Sequence, residues 1–319
     1  MNWFLYVFAS SLVTVIQTLP VTWGARFGRC MGGLVYLLDG RHRRVAQRNL
    51  TMCFGNEKSA AEIRAIAREN FRRIGENFAC AVKTCSMSHE QVRRHTQFEG
   101  IKKITPASGT EKPSSRVMAI GHFGNFELFA HASVAAPWYQ PATTYRALRG
   151  EGLNRMLLRL RQQTGCLYFE RRTEGAALRA AIRDKTLMLG LLADQHSGDH
   201  GLRIPFFGHD CATSKAPAIF ALRFGLPLNT AFCFRTRIGQ WRIEIGDEIP
   251  THENGEPRSP EAIMRDVNRA FEDAVRHDPA NWFWVHNRWK VRNKALAPSP
   301  AKPEVGLDNG SADQLAEGE

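Results

Sequence analysis

The chain has 319 residues, of which 43% are hydrophobic and 10% aromatic, so it can form a sizeable core and is not a disordered protein. The net charge of +12 favours an anionic partner such as nucleic acid, a phospholipid surface or an acidic carrier protein. Its seven cysteines form no Cys-x-x-Cys motif, which argues against a zinc ribbon or a disulfide framework and favours reduced thiols.

The first predicted element is a hydrophobic membrane anchor over residues 1–24, with no charged residue between Trp3 and Trp23. Its length approaches that needed to cross a bilayer, and it lacks the basic start and small-residue end of a secretory signal. Basic residues follow it, so the positive-inside rule places the rest of the chain on the cytoplasmic side of the membrane. Polar residues and Pro20 leave open whether the segment spans the membrane or lies in its interface.

Amphipathic helices are predicted next, over residues 26–38 and 41–53 and from Ser59 onward, where Glu62 completes a capping box. From Arg116, short apolar runs alternate with helical stretches. The runs span residues 117–121, 142–145, 166–169, 186–193, 226–235 and 240–245, and the helices span 125–134, 152–163, 174–184, 213–225 and 261–277. This alternation predicts an α/β fold with a mostly parallel central sheet covered by helices.

The same pattern predicts how the chain divides. Residues 25–294 are expected to form one α/β domain whose amino-terminal part is helical. Residues 295–319, which are rich in Pro, Gly and Ala, are expected to be a disordered tail.

The strongest candidate site lies in residues 121–127, where a predicted strand delivers His122 onto a turn flanked by Gly121 and Gly124. Glu127 follows about one helical turn later and is expected to accept the Nδ1 proton of His122. That hydrogen bond would leave Nε2 as a general base and stabilise the imidazolium that forms. Among the eleven histidines, His122 alone is followed by an acidic residue at this spacing.

The sequence Gly-His-Phe-Gly-Asn-Phe-Glu-Leu resembles the His-x4-Asp/Glu motif of the lysophospholipid acyltransferase superfamily. Within it, the chain is most similar to the bacterial lipid A biosynthesis (lauroyl/myristoyl) acyltransferases. Further matching segments follow the family's order at residues 19–20, 48–50, 145–146, 159–161, 193–195, 204–208, 212–213 and 281–290. The resemblance covers roughly residues 15–292, and its collinearity is more specific than any single segment.

The resemblance implies a glycerol-3-phosphate acyltransferase-like fold and an enzyme of the inner membrane, with its catalytic domain on the cytoplasmic side. The reaction implied is transfer of a fatty acyl chain from acyl carrier protein to a hydroxyl of a glycolipid, a lipid A precursor. No cofactor and no metal are implied. Nucleic acid is not an expected partner, because no nucleic-acid-binding motif accompanies the basic charge.

By resemblance, the catalytic residues would be His122 as general base, Glu127 as its orienting partner, and Arg159. A thioester's developing oxyanion needs a donor, and Arg159 is the first choice for that role. Arg161 is the second choice. Because the two arginines are two positions apart, a helix would point them in different directions.

Five residues are candidates for substrate binding, and they are Arg146, Arg161, Asp194, Gln195 and Asn125. A guanidinium at a strand end is suited to a phosphate or sugar of the acceptor. The Asp194 carboxylate would bind an acceptor hydroxyl or orient Arg159. The aromatic and basic residues of the 282–290 segment are assigned to core packing and interfacial anchoring.

Two departures from the family pattern leave the acceptor open. His196 stands where the family usually has a second acid, and Ala147 stands where it usually has Pro. A lysophospholipid or a phosphoglycolipid is therefore an alternative acceptor. A non-catalytic membrane scaffold and a thioester hydrolase that uses water remain alternatives of other classes.

Overall fold

The computed structural model describes residues 3–106, 113–148 and 150–290, so the tail expected over 295–319 lies outside the described residues. The α-helices in these ranges are α1 (Trp3–Thr18), α2 (Val21–Leu38), α3 (Gly40–Phe54), α4 (Ala60–Thr84), α5 (His89–His95), α6 (Glu151–Gln162), α7 (Gly175–Asp184), α8 (Ala216–Phe224) and α9 (Pro260–His277). Short 3-10 helices span Ile101–Ile104, Phe126–Val134 and Pro279–Asn281. The predicted capping box at the start of α4 is confirmed, with Ser59 and Glu62 in reciprocal hydrogen bonds.

The strands are β1 (Thr96–Glu99), β2 (Arg116–Ile120), β3 (Gln140–Tyr145), β4 (Leu167–Glu170), β5 (Leu187–Leu192), β6 (Leu202–Phe206), β7 (His209–Thr213), β8 (Leu228–Arg237), β9 (Gln240–Glu248), β10 (His252–Glu253) and β11 (Glu256–Pro257). Seven of them form the central sheet in the order β1-β9-β8-β2-β5-β3-β4. All neighbours in that sheet are parallel except the β8–β9 hairpin. The predicted mostly parallel α/β architecture is confirmed.

Side chains alternate across this sheet because successive strand residues point to opposite faces. In β2, Val117 and Ala119 pack into one buried apolar cluster. Met118 and Ile120 pack into a second cluster on the other face. The two clusters give the sheet its two covered faces, as a mostly parallel sheet requires.

Helices α2 and α4 are in direct backbone contact through glycines. A Cβ atom on Gly28 would lie 2.3 Å from the carbonyl oxygen of Gly75, and one on Gly32 would lie 2.1 Å from the carbonyl oxygen of Phe71. Any larger side chain at either position would force the helices apart. The small residues of α2 therefore face α4, and its large apolar residues lie on the opposite, exposed side.

The membrane-anchor helix expected over residues 1–24 is not supported by the structure. The segment is divided, because α1 ends at Thr18 and α2 starts at Val21 with Pro20 as its N-cap. Within the ranges that the structure describes, no helix combines the length and the apolar character needed to cross a membrane.

The sequence patterns did not predict the antiparallel β6–β7 hairpin, in which Leu202 pairs with Thr213. Pro205 interrupts the alternation that would mark a strand. The hairpin turns at Phe207 and Gly208, whose φ angles are 53° and 72°.

Candidate active site

His122 stands at the carboxyl edge of the central sheet, immediately beyond β2. The neighbouring strand β5 runs parallel to β2, and Ile120 pairs with Leu192. Residues that follow the two strands therefore meet at one edge, which brings Asp194 to His122. Gly121 permits this approach, because a Cβ atom there would lie 3.1 Å from Cγ of Asp194 and 2.7 Å from the ring of Phe123.

The turn that carries His122 is fixed from both sides. Gly124 has a φ of 52°, and its N–H donates to the carbonyl oxygen of Asn281 at 3.1 Å. A Cβ atom on Gly124 would lie 2.5 Å from the carbonyl oxygen of Cys233, so glycine is needed for space as well as for conformation. The Asn281 side chain donates to that same Cys233 oxygen at 2.9 Å.

The carboxylate of Asp194 holds the imidazole of His122. Nδ1 of His122 lies 2.8 Å from Oδ1 of Asp194, and the His122 backbone N–H donates to Oδ2 at 2.8 Å. Burial alone would raise the pKa of Asp194, but the charge of His122 and the N–H donors around the carboxylate outweigh it and hold that pKa below its usual range. An ionised carboxylate only accepts hydrogen bonds, so Nδ1 carries the proton and Nε2 is the basic nitrogen.

Glu127 was expected to orient His122, and the structure places it elsewhere. Its carboxylate forms a two-point ion pair with Arg161, at 2.5 Å from Nη2 and 3.2 Å from Nε. The segment after the turn is a 3-10 helix in which Phe126 stacks edge-on against the His122 ring at 4.7 Å between centroids. Glu127 is directed towards α6, and Asp194 takes the position at Nδ1.

His122 opens onto a cavity of about 1170 Å³. Part of its lining comes from the face of the sheet that carries Met118 and Ile120. The other apolar residues of this part include Phe98, Ile101, Ile104, Phe129, Ala132, Ala136, Met188, Ala231, Ile243 and Ile245. This apolar part of the lining, called the apolar arm below, has the chemistry of a site for a hydrocarbon chain.

The rest of the cavity's lining is mixed, and among the described residues seven basic ones stand against four acidic ones, Glu127, Glu170, Glu174 and Asp194. Arg161, Arg146, Arg171, Arg172, Arg179, Lys215 and Arg223 all contribute to its lining. Arginine forks and a lysine around one opening are suited to phosphate or carboxylate groups. The cavity therefore joins an apolar arm to a cationic surface, with a histidine–carboxylate pair in its lining.

The family model for the bacterial lipid A biosynthesis acyltransferases matches residues 1–291. The chain belongs to this family. It is also 23% identical over 270 residues to a lipid A biosynthesis palmitoleoyltransferase of Escherichia coli K12, covering 83% of this chain and 84% of that protein. A lipid A biosynthesis acyltransferase of Shigella flexneri matches with the same identity and coverage.

In this acyltransferase, the two candidate arginines of α6 are separated as their spacing predicts. Arg161 lines the cavity, and its guanidinium lies 5.5 Å from the ring centre of Tyr168. Arg159 is exposed and is not among the described residues that line the cavity. A two-residue step rotates a side chain by about 200° around a helix, so both cannot face one site. The structure thus places Arg161, and not Arg159, among the described residues that line the cavity.

The candidate substrate-binding residues are also divided. Arg146, Asp194 and Gln195 line the cavity. Asn125 is only 1% exposed, and its side chain donates to Oγ1 of Thr84 at 3.2 Å. Asn125 thus ties the His122 turn to α4 and is not among the described residues lining the cavity.

Sequence reasoning assigned Trp282 to packing, and the structure adds a polar contact at the active site. Its indole Nε1–H donates to Oδ2 of Asp194 at 2.8 Å. The two residues are 88 positions apart, and no local pattern reports such a contact. The signal for Trp282 in the sequence was only indirect, because the matching family segment shows no more than that this residue follows closely after the last predicted helix.

Proposed function

We propose that this acyltransferase moves a fatty acyl chain from the thioester of an acyl carrier protein to a hydroxyl of a glycolipid that is a lipid A precursor. His122 is the general base and Asp194 is its orienting partner. The observation that carries the proposal is the fully buried Asp194 carboxylate fixing the His122 imidazole in a cavity with an apolar arm and an excess of basic over acidic lining residues.

The proposed reaction needs no covalent enzyme intermediate. Nε2 of His122 takes the proton of the acceptor hydroxyl as its oxygen attacks the thioester carbonyl carbon. The tetrahedral intermediate then collapses, the C–S bond breaks, and the imidazolium returns the proton to the leaving thiolate. The products are an ester and the free thiol of the carrier.

Stabilisation of the oxyanion is assigned to Arg161. The backbone N–H groups of the His122 turn are already committed, since that of Phe123 donates to Gly121 and that of Gly124 to Asn281. The His122 N–H donates to Asp194. A side-chain donor is therefore proposed, and the ion pair with Glu127 holds the Arg161 guanidinium in the cavity wall.

The two parts of the cavity fit the two substrates. The apolar arm is proposed to hold the acyl chain, and the basic lining to hold the anionic headgroup of the acceptor. Arg146, exposed at the end of β3, is proposed to contact an acceptor phosphate. The net charge of +12 also suits docking of an acidic carrier protein.

The test uses the purified full chain with labelled acyl carrier protein thioesters and separate acceptors: a lipid A precursor, a lysophospholipid, a phosphoglycolipid, and none. We expect transfer to the lipid A precursor and almost none by His122→Ala. Transfer to another lipid would show that this lipid is the acceptor. Release of fatty acid without any acceptor would indicate a hydrolase. Equal turnover by wild type and His122→Ala would show that His122 is not the general base. The absence of turnover with every lipid would favour a non-catalytic scaffold.

A second prediction concerns the length of the acyl chain. Ala136 lines the apolar arm shortly before β3 begins, at the end of the parallel strands opposite to His122. Ala136→Phe should block that end of the arm and leave the catalytic pair in place. At roughly 0.8 kcal/mol per buried methylene, losing space for two methylenes should lower kcat/KM for the longest accepted chain about tenfold. Chains two to four carbons shorter should keep wild-type kcat/KM, and a uniform loss across all lengths would contradict the assignment.

A third prediction concerns attachment to membranes, which we propose occurs through the exposed face of α2. Trp23 is 64% exposed, Phe27 51% and Leu38 75%, and Arg26 lies on the same side. A helix with this pattern is suited to lie in the interface of an anionic bilayer.

Phe27→Glu should weaken sedimentation with phosphatidylglycerol-containing vesicles by roughly tenfold or more, because burial of one aromatic side chain is lost and a like charge is added. Asn254→Asp is the control, since it adds the same charge at an exposed position of the turn between β10 and β11. Equal weakening by both variants would show that charge alone governs binding and would exclude the α2 face as the attachment surface.

A further inference from the structure

We infer that Trp282 is a positioning residue of the active site, whose indole N–H fixes the Asp194 carboxylate in the orientation that keeps Nε2 of His122 basic. This inference rests on the proposed function. It gives the carboxyl-terminal aromatic segment a role in the reaction in addition to packing.

Three N–H groups define the orientation of the Asp194 carboxylate. Oδ1 faces Nδ1 of His122, and Oδ2 accepts both the His122 backbone N–H and the Trp282 indole N–H, each at 2.8 Å. Two of these donors belong to His122, so they move with the residue that must be oriented. Trp282 is the donor that ties the carboxylate to a separate part of the fold.

Trp282 is itself held rigidly. It is 1% exposed, and its ring packs against Trp284 at 4.7 Å and Phe206 at 5.4 Å between centroids. Its backbone forms an antiparallel bridge with Phe123, next to the catalytic histidine. Its carbonyl oxygen accepts from the buried side chain of Asn70 on α4 at 2.5 Å. The indole N–H therefore has little freedom to follow a carboxylate that rotates.

The same segment holds the chain on the other side of Asp194. Arg288, which is fully buried, donates to the carbonyl oxygen of Gln195 at 2.5 Å and to Oγ1 of Thr213 at 2.7 Å. His286 accepts the backbone N–H of His196 through Nε2 at 2.9 Å. The carboxylate and the loop that follows it are thus both fixed by residues between Trp282 and Arg288.

The neighbouring Trp284 separates positioning from packing. It is as deeply buried as Trp282, and its indole N–H also makes a hydrogen bond, to the carbonyl oxygen of Pro279 at 2.6 Å. That bond does not reach the catalytic pair. Trp284→Phe therefore removes the same chemical group from the same aromatic cluster and is the matched control for Trp282→Phe.

The expected result is a selective loss of turnover. Trp282→Phe should lower kcat by roughly 10- to 100-fold, the range set by one hydrogen bond to a charged group. KM should stay near the wild-type value, because Trp282 is not among the described residues that line the cavity. Trp284→Phe should keep kcat within about threefold of the wild-type value, even if its Tm falls as far as that of Trp282→Phe.

The Nδ1–H proton resonance of His122 tests the inference by NMR without any acyl transfer. Without the indole donor the Asp194 carboxylate can rotate, so Trp282→Phe should shift or broaden this resonance. Trp284→Phe should leave the resonance unchanged.

Two further measurements decide the outcome. If Trp282 acts through Asp194, Trp282→Phe should have no added effect on kcat in an Asp194→Asn background. Benzothienylalanine at position 282 keeps the shape of the ring and replaces its N–H by sulfur. If Trp282→Phe does not fold, this variant shows whether loss of the N–H donor alone lowers kcat.

Equal kcat and equal His122 Nδ1–H resonances in the two tryptophan variants, or full additivity with Asp194→Asn, would overturn the inference. If wild type transfers acyl chains, His122→Ala does not, and Trp282→Phe behaves as wild type, the inference alone fails. If wild type transfers none, or His122→Ala equals it, the proposed function fails, and the Nδ1–H resonance of His122 still decides the role of Trp282.

Discussion

Asp194→Asn is expected to lower kcat for acyl transfer by roughly 10³- to 10⁴-fold, close to the loss from His122→Ala. The asparagine amide keeps the size of the side chain and leaves an oxygen for the N–H donors. Its NH2 group, however, donates to Nδ1 of His122 and moves the imidazole proton to Nε2, which is then no longer basic. Steady-state kinetics with a saturating thioester donor measure the effect, and an unchanged Tm confirms the fold.

Glu127→Gln is the comparison that separates the two possible partners of His122. Because Glu127 pairs with Arg161, its loss should act on how Arg161 meets the oxyanion and lower kcat by roughly 10-fold, without moving the imidazole proton of His122. The opposite result, a 10³-fold fall in kcat for Glu127→Gln with a mild effect of Asp194→Asn, would show that Glu127 orients the imidazole during turnover.

The pH dependence should distinguish the same roles. Because the pKa of Asp194 lies below its usual range, the carboxylate stays ionised at any pH near neutrality. Activity that depends on this charge is lost only as the pH falls through the lowered pKa of Asp194. That loss should persist in Glu127→Gln and be absent from the low residual rate of Asp194→Asn.

The position of His122 was predictable because it depends on local pattern. A short apolar run ending in a glycine-flanked histidine predicts a strand followed by a turn, and the structure has β2 and a turn with Gly124 in the left-handed region. Membership in the family was predictable from motifs in a fixed order. The capping box of α4 was predictable because its two residues are three positions apart.

The partner of His122 was not predicted, because it depends on which strands are neighbours. Asp194 is 72 residues from His122 in sequence and adjacent in space because β2 and β5 pair in parallel. The sequence placed both residues at the ends of apolar runs. Because the carboxyl ends of neighbouring parallel strands meet at one edge of a sheet, the sequence could also have suggested that the two residues lie close together. Local spacing favoured Glu127 instead, and the structure favours the pairing set by the sheet.

The contacts of α4 show a second limit of sequence reasoning. The sequence predicted this helix, but it could not say that Asn70 donates to the carbonyl oxygens of Ala280 and Trp282. Thr84, at the end of the same helix, accepts from Asn125 beside the catalytic turn. The amino-terminal helices therefore support the site directly, through polar contacts over long sequence separations.

Glu76→Ala is expected to lower the free energy of unfolding by roughly 3–5 kcal/mol, the usual cost of breaking a buried ion pair. The Glu76 side chain is 0% exposed and lies 3.1 Å from Nη1 of Arg29 on α2 and 2.8 Å from Nε of Arg235 on β8. It also accepts the backbone N–H of Gly239 at 3.3 Å. Removing it leaves the Arg235 guanidinium and the Gly239 N–H without their shared acceptor.

Glu69→Ala is the matched control for this prediction. Glu69 lies on the same helix and pairs with the same Arg29 at 2.9 Å, but its side chain is 29% exposed. Solvent can replace it, so its loss should cost less than about 1 kcal/mol. Urea unfolding gives both free energies, and Tm should fall by roughly 10 °C for Glu76→Ala. Equal losses for the two variants would mean that burial does not set the strength of the Glu76 contacts. A larger loss for Glu76 would identify the contact that joins α2 and α4 to the sheet carrying His122.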